Sequence, residues 1–527
     1  MNLCAFAAIA LAALLAPTAP AQKSSPNYVV STASGRLSGA LVPNTKIVVY
    51  KGIPFGAPPV GKLRWRPPQP VHPWKGIRPA GHFSDSCVQQ TPNQFLPWTP
   101  VFMTHRPVSE DCLYLNVWTP HASAHANLPV IVFIHGGAFN SGAGTIAIYN
   151  GTHLAQTGLV IVTINYRVGV FGFLAYPQLT AESPHHSSGN YGLLDQMAAV
   201  RWVRRNIRNF GGDPGRVTIW GQSAGAMSVE DLTLSPLSVG LFDRAQADSG
   251  IGITGFDLLS LQQAEAHGEQ FAQRVGAHSL QELRAIPAAQ LLADSRWTDR
   301  FSPDIDGWVL PAPLRQLTAD GSGSHVPLVT GWEANDWLLG SPRVHTVEAY
   351  QALAHRLCGS LADEFLRLYP ASTAAQAEAM EKISSEDRDR VSMYLWAALR
   401  TASPGPAQPI YTYYFDRAIP WPQHSEYGAF HSGELPYFFH NLNRMNRPWQ
   451  PVDFRVSRQV SAYLKNFAAT GDPNGSGLPR WPAFQPGSAV TMQLGAQIEA
   501  IPIANPARLA FWKTYFASPE SAHSPIF

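Results

Sequence analysis

The chain has 527 residues, of which 45% are hydrophobic and 14% charged, with a formal net charge of +2. That much apolar material with so little charge excludes a disordered chain, which lacks a core to offset its conformational entropy. Lys plus Arg (38) nearly equals Asp plus Glu (36), so the sequence carries no electrostatic footprint for nucleic acid, and its low charge favours apolar clients over ionic ones.

Leu3 to Leu15 is almost wholly apolar and runs into Pro17-Thr18-Ala19-Pro20-Ala21. The run is shorter than the ~20 residues a bilayer requires. The Ala-x-Ala ending reads as a leader cleaved after Ala21, although no Lys or Arg precedes it. Residues 1–21 are therefore expected to be a signal peptide, and 22–527 one domain, secreted or periplasmic, with no stable membrane span. Cys4 leaves with the leader. Three cysteines, Cys87, Cys112 and Cys358, then remain, which in an exported chain means one pair and one leftover thiol. Cys87 and Cys112 flank a Pro-rich, aromatic loop whose closure would contribute about 3 kcal/mol. Cys358 follows a helix-like stretch, Tyr350 to Leu357, and reads as a buried free thiol. With no CxxC or His/Cys cluster, no structural metal is expected.

Beyond the first hundred residues, runs rich in β-branched and aromatic side chains recur: 129–135 (PVIVFIH), 159–165 (LVIVTIN), 216–220 (RVTIW), 327–331 (PLVTG) and 410–415 (IYTYYF). Continuous runs without polar alternation predict strands covered on both faces. Helical spacing of Leu194, Met197, Ala198, Arg201, Trp202 and Ile207 predicts a helix over 193–209, ended by Gly211-Gly212-Asp213-Pro214. Strands alternating with helices imply an α/β fold with a mostly parallel sheet. The more helical segments 256–313 and 346–402 are expected as cap insertions over or beside the sheet's carboxyl end.

The strand at 216–220 leads directly into Gly221-Gln222-Ser223-Ala224-Gly225 and a helix start. A Gly-x-Ser-x-Gly turn between strand and helix is a nucleophile elbow: it lifts the Ser223 hydroxyl out at a helix N-terminus, where negative charge is favoured. The strand at 130–134 likewise runs into a glycine-rich loop, His135-Gly136-Gly137-Ala138. Free N–H groups of Gly137 and Ala138, with that of Ala224, can converge on one oxygen as an oxyanion hole. Such a loop can also cradle phosphate, but no Lys, GxGxxG or Walker pattern follows it. His135, at a strand end, is expected to be structural.

These motifs, with KGIPFGAPP at 51–59, EDCLYLNV at 110–117, NYR at 165–167, GNYGLLDQ at 189–196, FGGDP at 210–214 and FAATGDPN at 467–474, resemble the type-B carboxylesterase and cholinesterase family of α/β-hydrolases from about Val29 to Phe516. The resemblance implies an α/β-hydrolase fold and ester hydrolysis through an acyl-enzyme, with Ser223 as nucleophile. It implies a Cys87–Cys112 disulfide, ion pairs Arg64–Glu110 and Arg167–Asp195, and a supporting role for Ser249. The elbow order Ser, acid, His and the segment GAFHSGELPY at 428–437 point to His431, with His424 and His440 as rivals lacking the motif. The family pattern Gly-x-Asn-x-x-Glu-Gly is matched by Gly331-Trp332-Glu333-Ala334-Asn335-Asp336-Trp337, which places Asp336 as the acid and leaves Glu333 as the alternative.

The family chemistry requires no cofactor and no metal, and its partner is a small-molecule ester. Cholinesterases carry Glu where this chain has Gln222, and no aromatic aligns with the one that stacks choline, so an uncharged ester is expected. Trp98, Phe102, Met103, Trp332, Trp337 and Trp421 are candidates to line an apolar gorge. A lipase or feruloyl-type esterase shares the same residues, and a non-catalytic binding module would have lost one of them.

Overall fold

The computed structural model describes residues 28–92, 94–120, 123–253, 258–336 and 344–523. The expected leader and Trp337 lie outside them. Eleven strands form one sheet among the described residues. In chain order they are β1 (Ala40–Leu41), β2 (Val48–Pro54), β3 (Tyr114–Thr119), β4 (Leu128–Ile134), β5 (Val160–Ile164), β6 (Gly212–Gln222), β7 (Arg244–Asp248), β8 (Leu328–Glu333), β9 (Ile410–Phe415), β10 (Val490–Leu494) and β11 (Ile498–Pro502). Their order across the sheet is β11-β10-β9-β8-β7-β6-β4-β5-β3-β2-β1. From β5 to β10 every neighbouring pair is parallel, whereas β3, β2 and β1 on one side and β11 on the other pair antiparallel.

The unbroken apolar runs have the expected cause. Val130, Val132 and Ile134 of β4 belong to one hydrophobic cluster and Ile131 and Phe133 to another, so alternate side chains enter cores on opposite faces. Each fully buried side chain of this size contributes about 1.5–3 kcal/mol. Helices α1 (Tyr191–Asn206), α2 (Ala224–Leu234) and α3 (Ala374–Ala402) cover the first face, and α4 (Pro451–Thr470) covers the second. The predicted 193–209 helix is thus α1 followed by a 3₁₀ turn, Ile207–Phe210.

Gly211 ends that turn at φ 84°, but the break is shorter than its composition implies. β6 already begins at Gly212, which pairs with Leu128 before the register shifts to Val217 opposite Val130. A Gly-Asp-Pro-Gly stretch reads as a loop, and only the neighbouring strand draws it into the sheet. α3 packs against β8 and β9, and its Ser392 binds the N–H of Ile253 beyond the carboxyl end of β7 through both its carbonyl and its hydroxyl oxygen. The predicted cap segment therefore lies beside the carboxyl edge. Cys87 and Cys112 are bridged and Cys358 is a buried free thiol, as expected. No described helix is long and apolar enough to cross a membrane.

Candidate active site

The central strands β4, β6, β7, β8 and β9 are consecutive neighbours, and each is followed at its carboxyl end by one part of the site. This is where an open parallel sheet presents its loops to ligands. The glycine loop follows β4, Ser223 follows β6, Ser249 follows β7, Asp336 follows β8, and the His431 loop follows β9.

At the elbow Ser223 sits at φ 58°, ψ −127°, a strained region for a residue with a Cβ. The turn is possible because its flanks are bare. A Cβ on Gly221 would strike the Gly225 carbonyl, and one on Gly225 would strike the carbonyl of Ile134 in β4. The Ser223 N–H donates to Asp248 O at 2.9 Å, and Met227 N–H donates to Ser223 O at 2.9 Å to open α2. The side chain is thereby fixed at a helix N-terminus, partly accessible to solvent.

The glycine loop packs directly on this turn, since a Cβ on Gly136 would lie 2.9 Å from Ser223 Cβ. Gly137, Ala138 and Phe139 follow at φ 115°, 52° and 59°. Positive φ at three successive residues, two of them with a Cβ, marks a constrained backbone path of the kind that clusters at functional sites. Among the described residues the N–H groups of Gly137 and Ala138 donate to no protein acceptor, and that of Ala224 is the first in α2, which has no partner within the helix. His135 is buried and contacts the Gly136 carbonyl through Nδ1 at 2.8 Å. It stacks on Tyr166 at 4.3 Å, and burial lowers its pKa to about 4. It is a structural histidine, as its strand-end position implied.

His431 is 4% exposed and its Nδ1 bonds Asp336 Oδ1. Of the two acids, Asp336 is the one brought to the imidazole. The loops meet because Asn335 locks them together: Asn335 N–H donates to Ala429 O at 2.9 Å, and Asn335 Oδ1 accepts from Ala429 N–H at 2.9 Å. Burial pushes the Asp336 carboxyl up, but the facing His431 and hydrogen bonds from His431, Glu333 and Ser249 hold it below its ordinary value. Ser249 Oγ reaches Asp336 Oδ2 at 2.7 Å and also contacts Glu333 Oε2. On the other edge of the ring, the Gln222 amide lies 3.2 Å from His431 Nε2, and Gln222 Oε1 accepts from Ser432 Oγ at 3.0 Å. The elbow and the histidine loop are thus joined through the residue next to Ser223.

The rivals lie elsewhere. His440 Nδ1 pairs with Ser457 Oγ at 2.8 Å and His424 Nδ1 with Glu426 at 3.1 Å. The ion pairs Arg64–Glu110 and Arg167–Asp195 form, at 2.6 and 2.7 Å. Of the aromatic candidates, Trp98 reaches the site: its Nε1–H donates to His431 O at 3.1 Å and its ring stands edge-on to the imidazole at 6.3 Å. Phe102 packs behind it against Phe430 at 6.0 Å. Trp332 is core, 1% exposed and bonded to Ile251 O, and Trp421 stacks under Arg447.

Two further buried acids, which no catalytic motif in the sequence marks, join the site. Asp248 bonds Trp220 and Gln246, and Glu434, fully buried, stands three residues after His431 beside Glu333. Their only signal is adjacency to Ser249 and to His431. Among the described residues Glu333, Asp336 and His431 are the one trio whose ligand atoms lie within 4.8 Å of one another, close enough to hold a metal ion. Those atoms are already engaged with one another directly and through Ser249, an arrangement suited to orienting an imidazole.

The carboxylesterase family model matches residues 26–512. A fumonisin B1 esterase from Sphingopyxis macrogoltabida is 34% identical, covering 93% of this chain and 91% of its own. A para-nitrobenzyl esterase from Bacillus subtilis is also 34% identical, covering 90% and 96%. A solved PNB esterase structure superposes with a TM-score of 0.77 at 31% identity, covering 92% of this chain and 99% of that one. With the elbow, the glycine loop and the Asp336–His431 pair in place on an α/β-hydrolase sheet, the chain belongs to the carboxylesterase family and is a serine carboxylic ester hydrolase.

Proposed function

We propose that the enzyme cleaves uncharged carboxylic esters by two acyl transfers at Ser223. His431 takes the Ser223 proton at Nε2 as the hydroxyl oxygen attacks the ester carbonyl. The N–H groups of Gly137, Ala138 and Ala224 receive the oxyanion. His431 then protonates the departing alcohol, and a water activated by the same nitrogen releases the acid and restores Ser223. Asp336 keeps the Nδ1 proton in place and stabilises the imidazolium. The observation that carries this reading is the hydrogen-bonded Asp336–His431 pair meeting the strained Ser223 turn through Gln222.

An uncharged substrate is supported by Gln222, a neutral amide beside the imidazole where cholinesterases carry a carboxylate. A quaternary ammonium favours aromatic faces and nearby negative charge. Export with cleavage after Ala21, to periplasm or medium, is supported by the apolar run 3–15, its Ala-x-Ala ending and the Cys87–Cys112 bridge.

A chain-length series of nitrophenyl esters with a choline ester alongside tests the reading. Neutral short-chain esters are expected to turn over, with kcat/KM for the choline ester lower by about tenfold or more. An organophosphate should label Ser223 and fail to label Ser223→Ala. Nitrophenyl ester turnover that survives intact in Ser223→Ala would overturn it.

A further inference from the structure

Glu333, the last residue of β8, stands where the resembled family carries asparagine. Its carboxyl is 2% exposed, as is that of Asp336, while Glu434 and Asp248 are fully buried. The groups facing Glu333 are Asp336 and His431 in front, Ser249 from the turn after β7, Tyr413 from β9 and Glu434 from the histidine loop, with Asp248 of β7 beyond Glu434 and Tyr413, and Asp389 of α3 beyond Asp336. Among the described residues no Lys or Arg forms an ion pair with the carboxyl groups of Glu333, Asp336, Glu434 or Asp248. Ionising them together would set like charges in contact away from water, at a cost of several kcal/mol per ion. Protons are therefore retained, and the hydrogen bonds indicate where.

Asp336 has the partners of a carboxylate: Oδ1 meets His431 Nδ1, and Oδ2 accepts from the Glu333 N–H at 3.0 Å and meets Ser249 Oγ at 2.7 Å. Ser249 Oγ touches Glu333 Oε2 as well. One hydroxyl proton cannot serve both contacts, so one carboxyl must bring its own. Glu333 is that carboxyl, because Glu333 Oε1 and both Glu434 oxygens have no donor among the described residues. A proton on Glu333 Oε2 directed at Ser249 satisfies that contact and leaves the Ser249 hydroxyl proton for Asp336. Burial and the neighbouring carboxyl groups push both glutamates well above the ordinary range.

We propose that Glu333 is a neutral carboxylic acid that acts as a positioning residue, donating to Ser249 while Ser249 donates to Asp336. This relay fixes an aspartate, one methylene shorter than the family's glutamate, in line with His431 Nδ1.

The kinetic arm of the test rests on the esterase reading; the spectroscopic arm does not. In an infrared difference spectrum at neutral pH, Glu333→Gln is expected to lose the C=O band of a protonated carboxyl, whatever the enzyme's activity. Glu333→Ala should lower kcat by about tenfold or more with little change in KM. Glu333→Gln, whose amide N–H can replace the donated proton, should restore kcat to within about threefold and leave the acidic limb of the kcat/KM profile in place. Ser249→Ala should repeat the fall in kcat. Loss of a carboxylate band, or a shift of the acidic limb to lower pH by about one unit in Glu333→Gln, would mean that Glu333 is an anion and would overturn the proposal. Failure of the near-isosteric Glu333→Gln to fold, or wild-type turnover in Ser249→Ala, would overturn it equally.

Discussion

A serine at φ 58° is held against its own preference, at a cost of about 1–3 kcal/mol. It persists because the surroundings allow no other path: Asp248 O takes its N–H, α2 takes its carbonyl, and Ile134 and Gly225 are too close for any relaxation. The acid partner is fixed as firmly, since Asp336 accepts from His431, Glu333 N–H and Ser249 at once. Asp336→Asn keeps size and removes only the charge and the acceptor at Oδ1 or Oδ2. It is expected to leave the fold intact and lower kcat by about 10⁴-fold, because an amide N–H facing Nδ1 forces the wrong imidazole tautomer. Turnover near that of the wild type, measured beside an unchanged circular dichroism spectrum, would remove Asp336 from the mechanism.

Among the elements, α2 carries the largest conflict. It starts at Ala224 under the elbow and is buried along nearly its whole length, yet it includes Glu230 and Asp231. Glu230 Oε1 accepts from Trp396 Nε1–H of α3 at 2.7 Å. Burial raises its pKa to about 7 against the opposing effects of Trp396 and Arg400. A carboxyl raised in the folded state holds a proton that the unfolded chain would have released. Its destabilising effect is absent below the unfolded pKa, near 4.3, grows as pH rises toward about 7, and is constant above that. Glu230→Gln keeps the oxygen that Trp396 binds and removes the charge. It is expected to add about 2–3 kcal/mol of stability near pH 8 and little near pH 4, measured by denaturant unfolding at both. Equal gains at both pH values would show that Glu230 does not titrate on unfolding.

For the molecule as a whole, the Cys87–Cys112 bridge closes the loop that delivers Trp98 to His431. Replacing both cysteines by serine is expected to cost about 3 kcal/mol and to lower Tm. It should also lower kcat more than KM rises, because the released loop frees the donor on the His431 carbonyl. Unchanged Tm and kcat in the double variant would show that core packing alone holds the loop. The sheet frames everything else. Five neighbouring parallel strands end at one edge, so residues from positions 137, 223, 249, 336 and 431 meet with their backbones anchored in a dry, doubly covered layer.

The parts legible in the sequence are those that depend on a few adjacent residues. Gly221 to Gly225 and Gly136 to Ala138 state a backbone geometry, because only bare or small residues permit those turns. The apolar runs state a sheet covered on both faces. Only chain order and family resemblance point to His431 and Asp336, because 18 histidines and many carboxylates carry no local mark that separates a site residue from a core residue. β7, written Arg-Ala-Gln-Ala-Asp, has almost no strand signal, and β6 extends through a turn-like Gly-Asp-Pro-Gly, since in both cases the neighbouring strands supply the pairing. The gathering of Glu333, Glu434 and Asp248 behind Asp336 and the reach of Trp98 to His431 were decided only by tertiary structure. Each depends on contacts between residues tens to hundreds of positions apart, which no local pattern encodes.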